Sequence, residues 1–247
     1  MSRARVVILM RSTRRYNVAL AITFGVVSTT GIGLAAGAGL EIGVLYPLTA
    51  MAVFLALMAA VLQVAGDQHP YPRFGPANYI TTIRATLVAL VAGLIGYPAT
   101  PLVLWSVVVL AGTMGALDGL DGWLARRTRM VSVFGARFDM ETDALLVLVL
   151  SVLVWQHEKA GAWVLLCGLM RYTFVASGFL LPWLARPLRS TRRGKTVAVG
   201  QLLGLSLALA PVVPAPSSAI VAAGALTALV WSFAIDVHWL SRQHRMS

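Results

Sequence analysis

The chain consists of long apolar segments that are separated by short polar ones. Apolar runs of about 20 residues recur along its length, and short polar segments separate them. Runs of this length match the hydrocarbon thickness of a bilayer, so each is predicted to be a membrane-spanning helix. We place eight such segments at residues 17–40, 43–65, 78–97, 101–124, 139–156, 161–184, 196–213 and 218–239. The pattern predicts an all-α integral membrane protein.

Composition agrees with this prediction, since 58% of the residues are hydrophobic and only 12% are charged. The net charge of +11 could indicate nucleic-acid binding, but its distribution does not. Of the 20 basic residues, 17 lie in the termini and loops on one predicted side, whereas the loops on the other side hold Lys159 alone. This positive-inside pattern predicts a bacterial-type inner or plasma membrane protein with both termini cytoplasmic and no nucleic-acid partner.

The N-terminus raises the alternative of a secretory signal, because basic residues precede its first apolar run. That run is longer than the core of a cleaved signal peptide, and further membrane segments follow it. We therefore predict that residues 17–40 are a retained transmembrane helix. A single cysteine, Cys167, excludes an intramolecular disulfide.

One polar stretch, residues 118–143, holds five of the nine acidic residues of the chain. On helices, Asp118 and Asp121 would share one face, and Asp139 and Asp143 would share another. A basic turn between the two pairs would fold the helices against each other; its arginines are Arg126, Arg127, Arg129 and Arg137. The four carboxylates are therefore predicted to converge at the ends of two apolar helices.

Clustered carboxylates repel one another unless a cation lies among them. Because the ligand atoms are all oxygen, hard divalent cations suit this cluster better than zinc. Two such ions about 4 Å apart commonly clamp a phosphate. Gly122 and Ala125 lack bulk, so a phosphate-bearing ligand could approach the backbone, and Gly135 precedes a predicted helix whose free N–H groups favour anions.

The stretch reads Asp118-x2-Asp121-Gly122-x2-Ala125-Arg126-x8-Gly135-x3-Asp139-x3-Asp143. This pattern resembles, with the same spacing, the signature of the CDP-alcohol phosphotransferases (CDP-alcohol phosphatidyltransferases). The resemblance covers about residues 78–239 and implies a core of six transmembrane helices. We accordingly predict an N-terminal extension with two transmembrane helices at residues 1–66 and the six-helix core at 67–247, with 67–77 as a linker.

The resemblance also implies a reaction, in which a substituted phosphoryl group passes from a CDP-alcohol to an acceptor hydroxyl and CMP is released. Two Mg²⁺ or Mn²⁺ ions would be held by Asp118, Asp121 and Asp139, and Asp143 would be the general base while also touching a metal. The CDP group would contact Gly122, Ala125, Arg126 and Gly135. A homodimer is expected from the family alone.

Segment 78–97 opens with a polar group that includes Asn78, Thr81 and Arg84. These residues could simply cap the helix and snorkel towards the membrane surface. The group also resembles a Pro-Asn-x-x-Thr-x-x-Arg pattern of the family, although Pro76 is displaced by one residue. That resemblance would make Asn78 and Thr81 nucleotide contacts and Arg84 a contact of the nucleotide, the acceptor or a phosphate.

Other basic residues are candidate contacts of the acceptor or of a phosphate, namely Arg137, Arg171, Arg193 and Lys195. Arg171 lies in the middle of an apolar run, where it would pair with a carboxylate or bind an anionic substrate group. Arg193 and Lys195 belong to a stretch that resembles one in phosphatidylglycerophosphate synthases with different spacing; positive-inside anchoring explains them as well. Asp236 is predicted to be an isolated interfacial residue.

The leading hypothesis is an enzyme of phospholipid synthesis that uses CDP-diacylglycerol and a small polar alcohol, in contact with membrane lipids. One alternative is transfer from CDP-choline or CDP-ethanolamine to diacylglycerol. A second alternative, from another class, is a membrane transporter whose acidic cluster binds the transported cation. The location of the acids at one membrane face, away from the midplane, favours the enzyme.

Overall fold

The computed structural model describes residues 3–40, 42–65, 74–128, 130–185 and 191–245. All regular secondary structure within these ranges is helical, which confirms the predicted all-α class. The α-helices are α1 (Arg3–Gly39), α2 (Leu45–Ala65), α3 (Pro76–Ala92), α4 (Pro101–Thr128), α5 (Val133–Gln156), α6 (Leu165–Leu180), α7 (Arg192–Leu209) and α8 (Ser217–Arg245). Most of the predicted linker at 67–77, and Arg129 of the basic turn, lie outside the described residues.

Five segments of the described chain are long and apolar enough to cross a membrane: Val18–Gly39, Leu45–Gln63, Pro101–Thr128, Ala162–Leu180 and Ser217–His244. The other three predicted spans correspond to α3, α5 and α7. Helix α3 has 17 residues, α5 carries four charged residues between positions 137 and 143, and α7 carries three in its first four positions. The five apolar helices make this a membrane protein.

In α5 and α7, a polar side chain caps a helix start that lies earlier than predicted. Ser132 Oγ accepts a hydrogen bond of 3.0 Å from the backbone N–H of Gly135, and α5 begins at residue 133 instead of 139. Thr191 Oγ1 likewise accepts a 3.1 Å bond from Gly194 N–H, and α7 begins at residue 192 instead of 196. A capping oxygen satisfies an N–H group that has no partner within the helix.

The described chain forms two compact units. The first comprises residues 1–97 and 113–143, and the second comprises residues 98–112 and 144–247. In the first unit, α1, α2 and α3 pack against one another. Phe54 and Met58 of α2 are fully buried, and the Tyr46 hydroxyl donates a 3.0 Å hydrogen bond to the carbonyl of Leu90 on α3.

These contacts join α1 and α2 to α3, the first helix of the predicted core. The predicted division at residue 66 concerns the extent of the family's core, and it stays a prediction.

In the second unit, α7 packs against α8, and Lys159 links two loops. The Lys159 ammonium donates to the carbonyls of Ala210 and Val213 at 3.2 and 2.7 Å, and Ser218 Oγ donates to the Lys159 carbonyl at 2.6 Å. Cations favour the carbonyl groups at the C-terminal end of a helix. Lys159 therefore ties the segment after α5 to the end of α7 and the start of α8.

Gly168 of α6 allows a close approach to α5 within the second unit. A Cβ atom at this position would lie 2.4 Å from the Cα atom of Leu148. Backbone atoms cannot move aside as a flexible side chain can, so the two helices would have to separate.

We therefore expect Gly168→Ala to lower the free energy of unfolding by about 1–3 kcal/mol, the usual cost of overpacking. Thermal unfolding of the detergent-solubilised protein measures this loss. Gly200→Ala on α7 is the matched control, because no atom outside its own helix lies within 4 Å of a Cβ there. Equal melting temperatures for the two variants would contradict the predicted tight contact.

Candidate active site

The site in the first unit is built around the side chain of Arg84, which extends from α3. This side chain is only 2% exposed. It points towards the C-terminal part of α4 and the N-terminal part of α5, the two segments that carry the acidic signature. A buried guanidinium requires acidic partners, because the loss of its hydration would otherwise be costly.

All four predicted aspartates meet this one guanidinium. Arg84 Nη1 lies 2.8 Å from Asp121 Oδ2 and 3.2 Å from Asp118 Oδ1. It also forms an ion pair with Asp139, and Arg84 Nη2 forms one with Asp143. The structure thus brings the two predicted acidic pairs together, and it gives Arg84 carboxylate partners that the sequence analysis did not predict.

Three of the four aspartate side chains are much more exposed to solvent than the Arg84 side chain. The side chains of Asp118, Asp139 and Asp143 are 44%, 38% and 48% exposed, whereas Asp121 is buried with Arg84. The guanidinium therefore lies beneath a layer of carboxylate oxygens that a ligand can reach from outside.

The donor atoms suit a hard divalent cation. One carboxylate oxygen from each of Asp118, Asp121 and Asp139 can be chosen such that all three lie within 4.8 Å of one another. Oxygen ligands in such a group are typical of Mg²⁺ and related ions. Four ionised carboxylates and one guanidinium also leave three negative charges, so the cluster can accept further positive charge.

A cavity of about 230 Å³ adjoins these carboxylates. All six residues predicted to contact the CDP group line it, together with two of the aspartates and five further residues. The lining comprises Ala77, Asn78, Thr81, Asp121, Gly122, Ala125, Arg126, Met130, Val131, Ser132, Gly135, Ala136 and Asp139. Small residues on all three helices leave this space open.

Close packing of Gly135 against Asn78 shapes one wall of the cavity. A Cβ atom on Gly135 would lie 2.7 Å from Asn78 Oδ1 and 3.3 Å from Ser132 Oγ. The Asn78 amide is held in place, since its Nδ2 donates a hydrogen bond to the carbonyl of Phe74. One turn further along α3, Thr81 Oγ1 donates a 3.4 Å hydrogen bond to Asp121 Oδ2.

The remaining basic candidates lie outside this cavity's lining. Arg137 is exposed on α5. Arg171, Arg193 and Lys195 belong to the second unit, where Arg171 is partly buried on α6 and Lys195 is exposed on α7. Their roles as acceptor or phosphate contacts stay predictions.

Arg193 has partners on α8 that the sequence analysis did not predict. Its guanidinium forms an ion pair with Asp236, and its Nε donates to Ser232 Oγ at 3.3 Å. The prediction that Asp236 is isolated is therefore wrong. Residues 193 and 236 are far apart in the sequence, and α7 and α8 bring them together by packing side by side.

The sequence analysis also missed Ser132, which lines the cavity and caps α5. A serine three residues before Gly135 is a recognisable N-cap signal, so the start of α5 could have been found from the sequence. The other four cavity residues outside the predicted set carry no charge, and no local pattern distinguishes them from other small or apolar positions; they are Ala77, Met130, Val131 and Ala136.

We expect Gly135→Ala to lower the free energy of unfolding by about 1–3 kcal/mol, because its new methyl group would press on the fixed Asn78 amide. In an Asn78→Ala background the same substitution should cost less by at least about 0.5 kcal/mol, since the two positions are in contact. Thermal unfolding of the four proteins measures this coupling.

Gly122→Ala is the control for this cycle, because a Cβ there would lie 3.4 Å from the flexible end of Arg126. Additive costs of the Gly135 and Asn78 changes would contradict the predicted contact.

Comparison with known proteins places this geometry in a family. Searches of curated proteins and of solved structures gave no match. The family model described as CDP-alcohol phosphatidyltransferase matches residues 74–235, which begin just before α3 and include all four aspartates and the whole cavity. The chain therefore belongs to the CDP-alcohol phosphatidyltransferase family and is a phosphotransferase of the membrane.

Proposed function

We propose that this protein transfers a phosphatidyl group from CDP-diacylglycerol to a small polar alcohol, with release of CMP. Family membership supplies the general reaction, which is transfer from a CDP-alcohol, and it argues against the transporter alternative. The observation that carries the proposal is the carboxylate group of Asp118, Asp121 and Asp139 beside a cavity lined by small residues.

Asp118, Asp121 and Asp139 would hold two divalent cations, Mg²⁺ or Mn²⁺, and Asp143, which shares the Arg84 guanidinium with them, would touch a metal as a further ligand. When bound, these ions would neutralise the charge of the donor's pyrophosphate and stabilise CMP as the leaving group. Their oxygen donors and residual negative charge support this assignment.

Asp143 would act as the general base. Its carboxylate takes the proton of the acceptor hydroxyl, whose oxygen forms a new bond to the phosphorus that bears the diacylglycerol. The bond from that phosphorus to the bridging oxygen of the pyrophosphate breaks, and CMP leaves with the electron pair. The exposure of Asp143 supports this role, because an acceptor has to reach the base.

The cavity would hold the CDP group. Gly122, Ala125 and Gly135 leave room beside the backbone, Arg126 offers a cation to the phosphates, and Asn78 and Thr81 contribute polar groups on α3. Phosphoryl transfer depends mainly on positioning and charge stabilisation, which are the two things these residues can provide.

Diacylglycerol chains on the donor fit a protein whose helices cross a bilayer. The four aspartates lie towards the C-terminal end of α4 and the N-terminal end of α5, where a lipid could keep its chains in the membrane while its head reaches the site. We further propose that this end and both termini face the cytoplasm, as the arginine distribution indicates.

The acceptor is proposed to be a small polar alcohol, with a preference for one that carries a phosphate. Arg137 supports this preference, because it is exposed on α5 in the same unit as the aspartates. Homodimer formation is proposed from the family alone.

The test is an assay with purified protein, CDP-diacylglycerol or CDP-choline, a panel of acceptor alcohols and Mg²⁺ or Mn²⁺. We expect CMP release to require the lipid donor, an alcohol and a divalent metal, and the mass of the product names the acceptor. A chelator should abolish turnover, and Asp118→Ala and Asp139→Ala should lose metal binding together with activity. Turnover that persists in excess chelator would refute the metal assignment, and transfer from CDP-choline to diacylglycerol would establish the alternative donor.

Asp143→Asn should lower kcat by at least about 100-fold, a typical contribution of a general base, while donor binding remains measurable. Its matched control is Glu141→Gln, which removes an acidic group from the same turn of α5 at a position outside the signature. Near-normal turnover by Asp143→Asn, or an equal loss in both variants, would remove the general-base assignment.

A further inference from the structure

The feature of interest is the position of Arg84 relative to the metal-binding oxygens. Its Nη1 contacts a carboxylate oxygen on each of Asp118, Asp121 and Asp139, the three residues that can gather around one cation. A guanidinium and a divalent ion cannot both take all of these oxygens at their best distance. Arg84 and a metal ion are therefore competitors for the same ligands.

Arg84 is also held firmly in this position. It lies on α3, which packs against α1 and α2, and its side chain is sealed from solvent. Its Nε is buried without a hydrogen-bond partner among the described residues, so the polar contacts of this side chain are concentrated at the end that faces the acids. Such an arrangement costs free energy unless the carboxylates return it as ion-pair attraction.

Arg84 changes the net charge of the carboxylate cluster. Without Arg84, four carboxylates would face one another with four negative charges, whereas Arg84 reduces the excess to three. The attraction between the guanidinium and the carboxylates offsets part of their mutual repulsion, and it makes the centre less negative towards an incoming cation.

We propose that Arg84 is the internal counter-cation of this centre: it holds the four carboxylates together when no metal is bound, and it weakens their affinity for divalent cations. The proposal rests on the proposed function, since it takes Asp118, Asp121 and Asp139 as metal ligands. Arg84 would thereby set the metal concentration at which the site fills, and it is a positioning residue for the reaction.

A role as a simple substrate contact makes a different prediction. If Arg84 only binds a phosphate of the donor or acceptor, its substitution should change neither the metal affinity nor the stability of the protein without substrate. Measurements without nucleotide therefore separate the two roles.

The first experiment titrates Mn²⁺ into metal-free, detergent-solubilised protein without nucleotide and follows free Mn²⁺ by electron paramagnetic resonance. We expect Arg84→Gln to lower the Kd for Mn²⁺ by at least about tenfold, because one nearby positive charge is removed. Arg193→Gln is the matched control, since it also removes an arginine from an aspartate pair, with Asp236 in the second unit, and its Kd should equal that of the wild type.

The second experiment measures melting temperature in a chelator and in saturating Mn²⁺. Arg84→Gln should melt well below the wild type in chelator and recover in Mn²⁺, because the metal replaces the lost charge. The double variant Arg84→Gln/Asp143→Asn should recover without metal, because it restores the wild-type excess of three negative charges. Asp143 is chosen because it lies outside the three-residue metal group.

Three results would overturn the proposal. These are an unchanged or higher Kd for Mn²⁺ in Arg84→Gln, a failure of that variant to fold even with Mn²⁺ present, and a double variant no more stable in chelator than Arg84→Gln alone.

Asp118→Ala distinguishes this failure from failure of the proposed function. If it binds Mn²⁺ as the wild type does, the metal centre itself is wrong. If it loses Mn²⁺ while Arg84→Gln is unaltered, only the role of Arg84 is refuted.

Discussion

Four carboxylates at close range repel one another, and a fold that gathers them must supply positive charge at the same place. Here that charge comes from Arg84 on α3, a helix that carries none of the acids. The position of α3 is consequently a requirement of the site. Helices α1 and α2 pack against it, and Tyr46 bonds to its backbone, so these N-terminal helices help to hold one guanidinium among the acids.

Helix α4 shows how one element serves both the membrane and the chemistry. Its 28 residues would extend about 42 Å at 1.5 Å per residue, whereas the hydrocarbon core of a bilayer is about 30 Å thick. Asp118 and Asp121 lie in its second half, beyond an apolar stretch that begins at Pro101. The extra length allows charged residues to continue a membrane helix into the polar headgroup region.

The sequence was sufficient to predict the helical class, the four aspartates that meet at the site and six of the residues that line the cavity. Residues spaced by three or four positions share a helix face, which makes such sets visible in a sequence. It was not sufficient to pair Arg84 with the aspartates or Arg193 with Asp236. Such contacts join residues far apart in the chain, and they depend on which helices pack together. Resemblance to family patterns suggested substrates as their partners, whereas both arginines contact acids of the same chain. By contrast, the early start of α5 depends on the local capping residue Ser132, which can be recognised from the sequence.

Lys159 has a structural role that its position in the sequence does not indicate. Counted along the sequence, it is an ordinary basic loop residue, but its ammonium group is bound by two carbonyls at the end of α7. The chain has one other lysine, Lys195, which is exposed on α7. Of the two lysines, Lys195 is accordingly the one that amine-directed reagents, crosslinkers and fluorophores will favour, so lysine labelling marks the start of that helix without any engineered residue.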